Sequence, residues 1–287
     1  MTASALRTLR ATSKTAQPAH PPVKVRRIEF EFDDDIPEFW YANDPLRTLL
    51  MASMSGGFPE GERFFIDSVR HFQEQVQDPA LRQAIRGFIG QEAHHGKQHD
   101  QLNDFIEKRG YSIGRIDKNV GRLMGWLRKN LSPERQLAHT AAIEHFTAML
   151  AEQYLLDPQE LAQIHPQLAG IIGWHAVEEA EHKAVAFDVF KTVVDDEWIR
   201  LSQMAFSSAL FLTFSTAELL VLLRESGHLT DWKMWAKGLN HFWGRPGVLR
   251  KMLPAYFSYY RRGFHPNDYD STVQQEAVKK AYLGEYA

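Results

Sequence analysis

GWHAVEEAEHKAVAFDV, residues 173–189, sets three carboxylates and two histidines between His175 and His182 in an otherwise apolar run. A helix with this composition suits a core, yet a buried carboxylate without a partner is expensive. Part of the charge is ordered: Glu179-x-x-His182 has an upstream counterpart in Glu92-x-x-His95. Residues three apart share a helix face, so each pair can point at one spot. Carboxylate plus imidazole suits iron, manganese or zinc. One such pair means little, since about one is expected by chance in a chain of this composition. A third match, Glu225-x-x-His228, lies in ESGH, which reads as a helix end. Placement has to decide.

Working outward, DDDIPEFW (33–40) closes an extended segment, and from there on the chain reads as helical. Pro59 suits the first turn of a helix reaching about Val76. Asp78-Pro79 supplies an N-cap and first helical residue for a second helix, which Gly110 ends near Lys108. A long connection follows, with its own helix over DKNVGRLMGWLRKN (117–130). Ser132-Pro133-Glu134 starts a third helix to about Leu156, and Asp157-Pro158 repeats the earlier turn chemistry. After Pro166 a fourth helix runs through about Val194. The expected fold is all-α, a ferritin-like four-helix bundle of two helical hairpins with a long crossover, plus additional C-terminal helices.

In an antiparallel hairpin, residues equally far from the turn sit at one height. Glu62 lies 16 residues before Asp78 and Glu92 lies 14 after it. Glu144, inside the apolar run AAIEHFTAML, and Glu179 have their midpoint within the 158–166 turn. Each hairpin therefore sets one lone Glu opposite one Glu-x-x-His pair, the pattern of carboxylate-bridged dimetal proteins. Glu62, Glu92, His95, Glu144, Glu179 and His182 are the candidate metal ligands.

Over about residues 59–190 this pattern resembles the ferritin-like di-iron carboxylate superfamily. His175, one turn before Glu179, makes helix four similar to that of the arylamine N-oxygenases of the p-aminobenzoate oxygenase type. That resemblance implies His175 as a seventh ligand. With FPEGERFF, TAAIEHFTA and WHAVEEAEHK, the whole chain is similar to a bacterial family labelled predicted metal-dependent hydrolases.

Plainer roles compete at several positions. Glu62 could serve the helix dipole, with Glu60 as the ligand instead. His175 could be a core histidine bonded to a carbonyl. Glu178 and Glu181 are expected on outward or flanking faces, pairing with Lys183. His99 reads as a supporting residue or an eighth ligand, and His94, His139 and His145 as packing or surface residues.

Composition narrows the chemistry. With no cysteine, disulfides, thiolate catalysis and Cys-ligated zinc are excluded, while thirteen histidines can supply nitrogen ligands. A net charge of −3 gives no reason to expect nucleic acid. Residues 1–25 read as a flexible basic tail without an apolar h-region, so cytoplasm is expected. Residues 26–287 read as a single helical domain, the dimetal bundle over 59–194 and an apolar and basic-aromatic extension over 195–287. Residues 23–32, VKVRRIEFEF, suggest a short extended segment. Residues 201–223 are as long as a membrane span, but are expected as a fully buried helix rather than a membrane helix, with peripheral membrane association through this segment not favoured.

Two divalent cations, with iron favoured over manganese or zinc, would neutralise four carboxylates and make the charged interior tolerable. Two reaction classes follow. Two ferrous ions can reduce dioxygen and oxidise a small apolar or aromatic substrate, with an electron donor as a possible partner. Alternatively the ions hold a hydroxide and polarise a carbonyl or phosphoryl group in hydrolysis. A non-catalytic metal-binding protein is the third reading, and a homodimer is possible. Met51, Met54, Phe64, Phe65, Phe88 and Trp174 are expected to wall a dry pocket that Phe206, Phe211 and Phe214 extend.

Overall fold

The computed structural model describes residues 23–286, so most of the basic tail lies outside the described residues. The protein is all-α, 75% helical with no strand among the described residues. One device starts four helices. Asp44, Asp78, Ser132 and Asp157 each accept a backbone N–H of the first turn, and Pro45, Pro79, Pro133 and Pro158 follow them. Proline is well tolerated there because its missing N–H would have no helical partner in any case. The helices so opened are α1 (Pro45–Ser55), α3 (Pro79–Lys108), α5 (Pro133–Leu150) and the short α6 (Pro158–Leu161). Helix α1 falls within the stretch expected to be helical, and Asp44-Pro45 marks its start.

Between these lie α2 (Phe58–Phe72) and α4 (Ile113–Asn130); α7 (Pro166–His182) follows α6. A π-helical turn, Ala151–Leu155, extends α5. Helix α2 packs on α3 and α5, and α7 packs on the same two. The fourth helix does not run unbroken to Val194. It stops at His182, turns at Lys183 and Ala184, and resumes as α8 (Val185–Val193), which packs on α3 and α5. At the break Lys183 reaches the Glu152 carboxylate and the Tyr269 carbonyl.

Residues 23–32 form neither helix nor ladder. They lie as a strap over α3 and α7, and side chains satisfy their backbone. Gln91 donates to the Lys24 carbonyl at 2.9 Å, the Arg26 N–H donates to Glu178 at 3.1 Å, and the Phe30 N–H donates to Gln98 at 3.0 Å. Without a neighbouring strand, these side chains answer the backbone's obligatory hydrogen bonds. Gly87 and Gly90 make the close approach possible: a Cβ on them would sit 2.5 Å from Val23 and 2.7 Å from Val25.

The C-terminal third comprises α9 (Glu197–Glu225), α10 (Trp232–Leu239), α11 (Val248–Ser258) and α12 (Thr272–Val278). Helix α9 is long and apolar enough to cross a membrane by length and composition. It is not fully buried. One face packs on α5 and α1 through residues such as Met204, Ser207 and Leu222, while Phe206, Leu212 and Leu220 face outward. The helix is an outer rod with neighbours on one side, which hydropathy cannot distinguish from a central one.

Candidate metal centre

Four helices deliver seven side chains to one buried spot: Glu62 from α2, Glu92 and His95 from α3, Glu144 from α5, and His175, Glu179 and His182 from α7. All seven are buried. Three sets have ligand atoms within 4.8 Å of one another: Glu62, His95 and His175; Glu92, His95 and Glu179; Glu92, Glu144 and His182. His95 occurs in the first two sets and Glu92 in the last two, so the three sets form one continuous cluster. His182 Nε2 lies 3.0 Å from Glu92, 3.3 Å from Glu144 and 3.6 Å from Glu179. Gly96, on α3, leaves room for Glu62, whose Oε2 would be 3.1 Å from a Cβ at that position.

The surrounding hydrogen bonds fix where each imidazole carries its proton. Gln91 uses its nitrogen on the Lys24 carbonyl, so its oxygen accepts from His182 Nδ1 at 2.8 Å. Nε2 then presents a lone pair to the cluster. Glu178, anchored by Arg26, accepts from His95 Nε2 at 3.1 Å and leaves Nδ1 facing inward. A longer relay sets His175. Asn103 donates to the Ser55 carbonyl at 3.0 Å, so its oxygen accepts the Ser55 hydroxyl at 2.7 Å. Ser55 in turn accepts from His99 Nδ1, and His99 Nε2 accepts from His175 Nδ1 at 2.6 Å. His175 Nε2 is left unprotonated, 2.9 Å from Glu179.

In their neutral forms the three imidazoles therefore turn lone pairs on four carboxylates, acceptor against acceptor. Both oxygens of Glu62, Glu92 and Glu144, together with Glu179 Oε2, His95 Nδ1 and His182 Nε2, are buried without hydrogen-bond partners. Buried acceptors are rarely left so. Cations between them would satisfy every one, and the nitrogen and oxygen donor set fits divalent iron, manganese or zinc. Without cations, protons must substitute. Burial, then the charge of the neighbouring carboxylates, holds Glu62 and Glu92 well above the usual carboxylate range. Burial and Glu179 push Glu144 up to about 7. Burial opposes charge on Glu179 and His182 too, but the pair stabilise each other, holding Glu179 well below its ordinary range and His182 well above.

The competing candidates are placed elsewhere. Glu60 pairs with Arg63 at 3.0 Å. His99 supports His175 rather than facing the carboxylates. His94 bonds the Ile28 carbonyl, His139 the Ser207 hydroxyl and His145 the Ala255 carbonyl. Glu178 and Glu181 do not face outward, and neither pairs with Lys183. Glu178 is buried between His95 and Arg26, and Glu181 meets Arg26 and Lys279. The strap covers the side of α7 that helical periodicity assigns to solvent. Gln91, Glu178 and Arg26, which carry the orienting contacts, were not foreseen; their adjacency to Glu92, Glu179 and the strap was the only signal.

Two small cavities adjoin the cluster. One, of about 110 Å³, is lined by Met54, Phe58, Glu62, Phe65, Phe211 and Phe214 among others. The second, of about 40 Å³, meets His99, His175 and Glu179, with Met51, Met54 and Phe58 in its wall. Phe64, Phe88 and Trp174 line neither. Phe88 and Trp174 instead back His182 and His95 edge-on, at 5.0 and 4.8 Å, and Phe64 packs on His139. Phe206 points away, because five residues along a helix turn a side chain well past the face that Phe211 occupies.

Residues 24–270 match the family described as predicted metal-dependent hydrolase. The chain belongs to that family. A buried His/Glu cluster able to hold divalent cations agrees with a metal-dependent family. Comparison with curated proteins gives no match, and neither does comparison with solved structures.

Proposed function

We propose that this family member is a dimetal carboxylate enzyme whose centre lies in a ferritin-like bundle of α2, α3, α5 and α7. Its proposed ligands are Glu62, Glu92, His95, Glu144, His175, Glu179 and His182, which would together hold two cations. The observation that carries this reading is the convergence of unpartnered carboxylates and imidazole lone pairs, sealed from water. Iron is the proposed metal, and oxidation of a small apolar or aromatic substrate by dioxygen the proposed reaction. Two ferrous ions would supply electrons to dioxygen there. The chain's own part is to hold the ligands, exclude water and seat the substrate. Met54, Phe58, Phe65, Phe211 and Phe214 offer a dry wall against Glu62, and nothing in that wall but Glu62, Ser53, His139, Thr147, Ser215 and Glu218 is polar. Repeated turnover would need an electron donor.

Metal-dependent hydrolysis is the second reading, favoured by the family's description. Metal analysis with an oxygen test separates the two. Oxidation predicts roughly two iron per chain and an absorption transient when the ferrous protein meets oxygen. Zinc in the purified protein, with ester or phosphoester turnover indifferent to oxygen, would support hydrolysis and overturn oxidation.

A further inference from the structure

Helix α9 has two different faces. Its inner face walls the larger cavity with Leu210, Phe211 and Phe214. Its outer face shows Phe206, Leu212 (59% exposed) and Leu220 with small residues between them, and no charged residue occurs from 201 to 217. Beside it lies α11, tied on by Ser208 Oγ and Tyr256 Oη at 3.0 Å and by the Phe146 ring, which lies against both Phe211 and Tyr256. Helix α11 adds exposed Leu253 and Phe257, the latter 61% exposed. Residues 232–264 contain seven lysines and arginines and no acidic residue, interleaved with exposed Trp232 and Trp243.

We propose that α9 and the basic-aromatic segment 232–264 dock this protein on the surface of an anionic phospholipid bilayer. Apolar side chains beside cations and tryptophans are what a headgroup–acyl boundary receives. A spanning arrangement is ruled out by the inner face: Glu218 pairs with Arg115 at 2.7 Å and Asn119 at 2.9 Å, and Gln203 is buried against α5. A second copy fits less well, since a two-fold contact sets the same patch on both subunits and would oppose the cations to themselves. Nucleic acid would satisfy the cations but leave the uncharged face of α9 bare. Docked on lipid, one helix separates the acyl phase from the cavity beside Glu62.

The test is sedimentation of the full-length protein with vesicles of phosphatidylcholine alone or with phosphatidylglycerol added. Co-sedimentation with the anionic vesicles, weakened by salt, is expected. Phe206→Ser with Leu212→Ser should reduce partitioning at least about tenfold, and Lys233→Glu or Arg262→Glu about fivefold each. Leu212, Lys233 and Arg262 are exposed and Phe206 is 38% exposed, so metal content should be unchanged and unfolding of the two charge variants likewise. Absence of sedimentation with both vesicle types overturns the proposal. So does partitioning indifferent to the double substitution, or a dimer in light scattering that the double substitution dissolves. Vesicle binding needs no metal, so a failure of the dimetal reading would leave this result standing.

Discussion

Glu178 holds His95 from behind. Its Oε2 lies 3.1 Å from His95 Nε2, while its Oε1 takes the backbone N–H of Arg26 at 3.1 Å. Gln91 does the same for His182, joining it to the Lys24 carbonyl. Both Glu-x-x-His imidazoles therefore lean on the strap through one intervening side chain each. Such outer partners fix tautomer and ring orientation and raise ligand basicity.

Glu178→Gln keeps the size of this side chain, removes its charge and turns one of its two accepting oxygens into a donor. Metal affinity should fall about 10- to 100-fold with the helical fold retained. Metal titration against a competing chelator reads this directly. Affinity equal to wild type would show that His95 does not depend on Glu178.

Gly87→Ala tests the strap by its sign. In an open helix the change stabilises by about 1 kcal/mol. Here the new Cβ would meet Val23 at 2.5 Å, so a loss of about 1–3 kcal/mol is expected from overpacking. Denaturant unfolding decides; a more stable variant would mean that the strap does not sit on α3.

Glu144→Gln separates the metal-free from the metal-loaded protein. Without cations the carboxyl is crowded by Glu179 and burial, so the neutral amide should leave stability unchanged or raised by about 1 kcal/mol. With metal, the same variant should lose one or both ions and most of the stabilisation that metal confers on the wild type. Thermal unfolding with chelator and with added metal, alongside metal analysis, gives both numbers. Full metal occupancy in the variant would remove Glu144 from the ligand set.

Among the buried histidines outside the ligand set, His139 and His145 should each cost the fold stability in acid. Burial pushes His139 and His145 down to about 4, against about 6.5 in an unfolded chain. Between those values the unfolded state binds more protons, so stability is complete above the upper value and is lost as pH falls toward the lower. By pH 5 the loss is about 2 kcal/mol for each histidine. Denaturant midpoints of wild type and His139→Asn, both measured in chelator across this range, should differ in slope by the His139 contribution, because every other titrating group is common to the two proteins. Equal slopes would contradict the buried placement of His139.

Much of the centre was readable in order along the chain. Asp78-Pro79, Ser132-Pro133 and Asp157-Pro158 locate helix starts because capping is settled within a few residues. Glu92 and His95, like Glu179 and His182, share a face because the helix repeat is rigid, and distance from the turn then aligns Glu62 and Glu144 with them. Asp44-Pro45 carries the same signal for α1.

The residues around the buried cluster were not readable. Glu178 follows the helical rule for an outward position, yet the strap arrives from 152 residues away to cover it. Phe206 and Phe211 are equally apolar, and only the packing of α9 on α5 sends one outward and the other into the cavity. What the sequence determined alone was where helices begin and which side chains share a helix face, since both follow from bonds and sterics within a few residues. Tertiary structure alone decided which faces are covered, because covering depends on distant segments whose arrival no local pattern records.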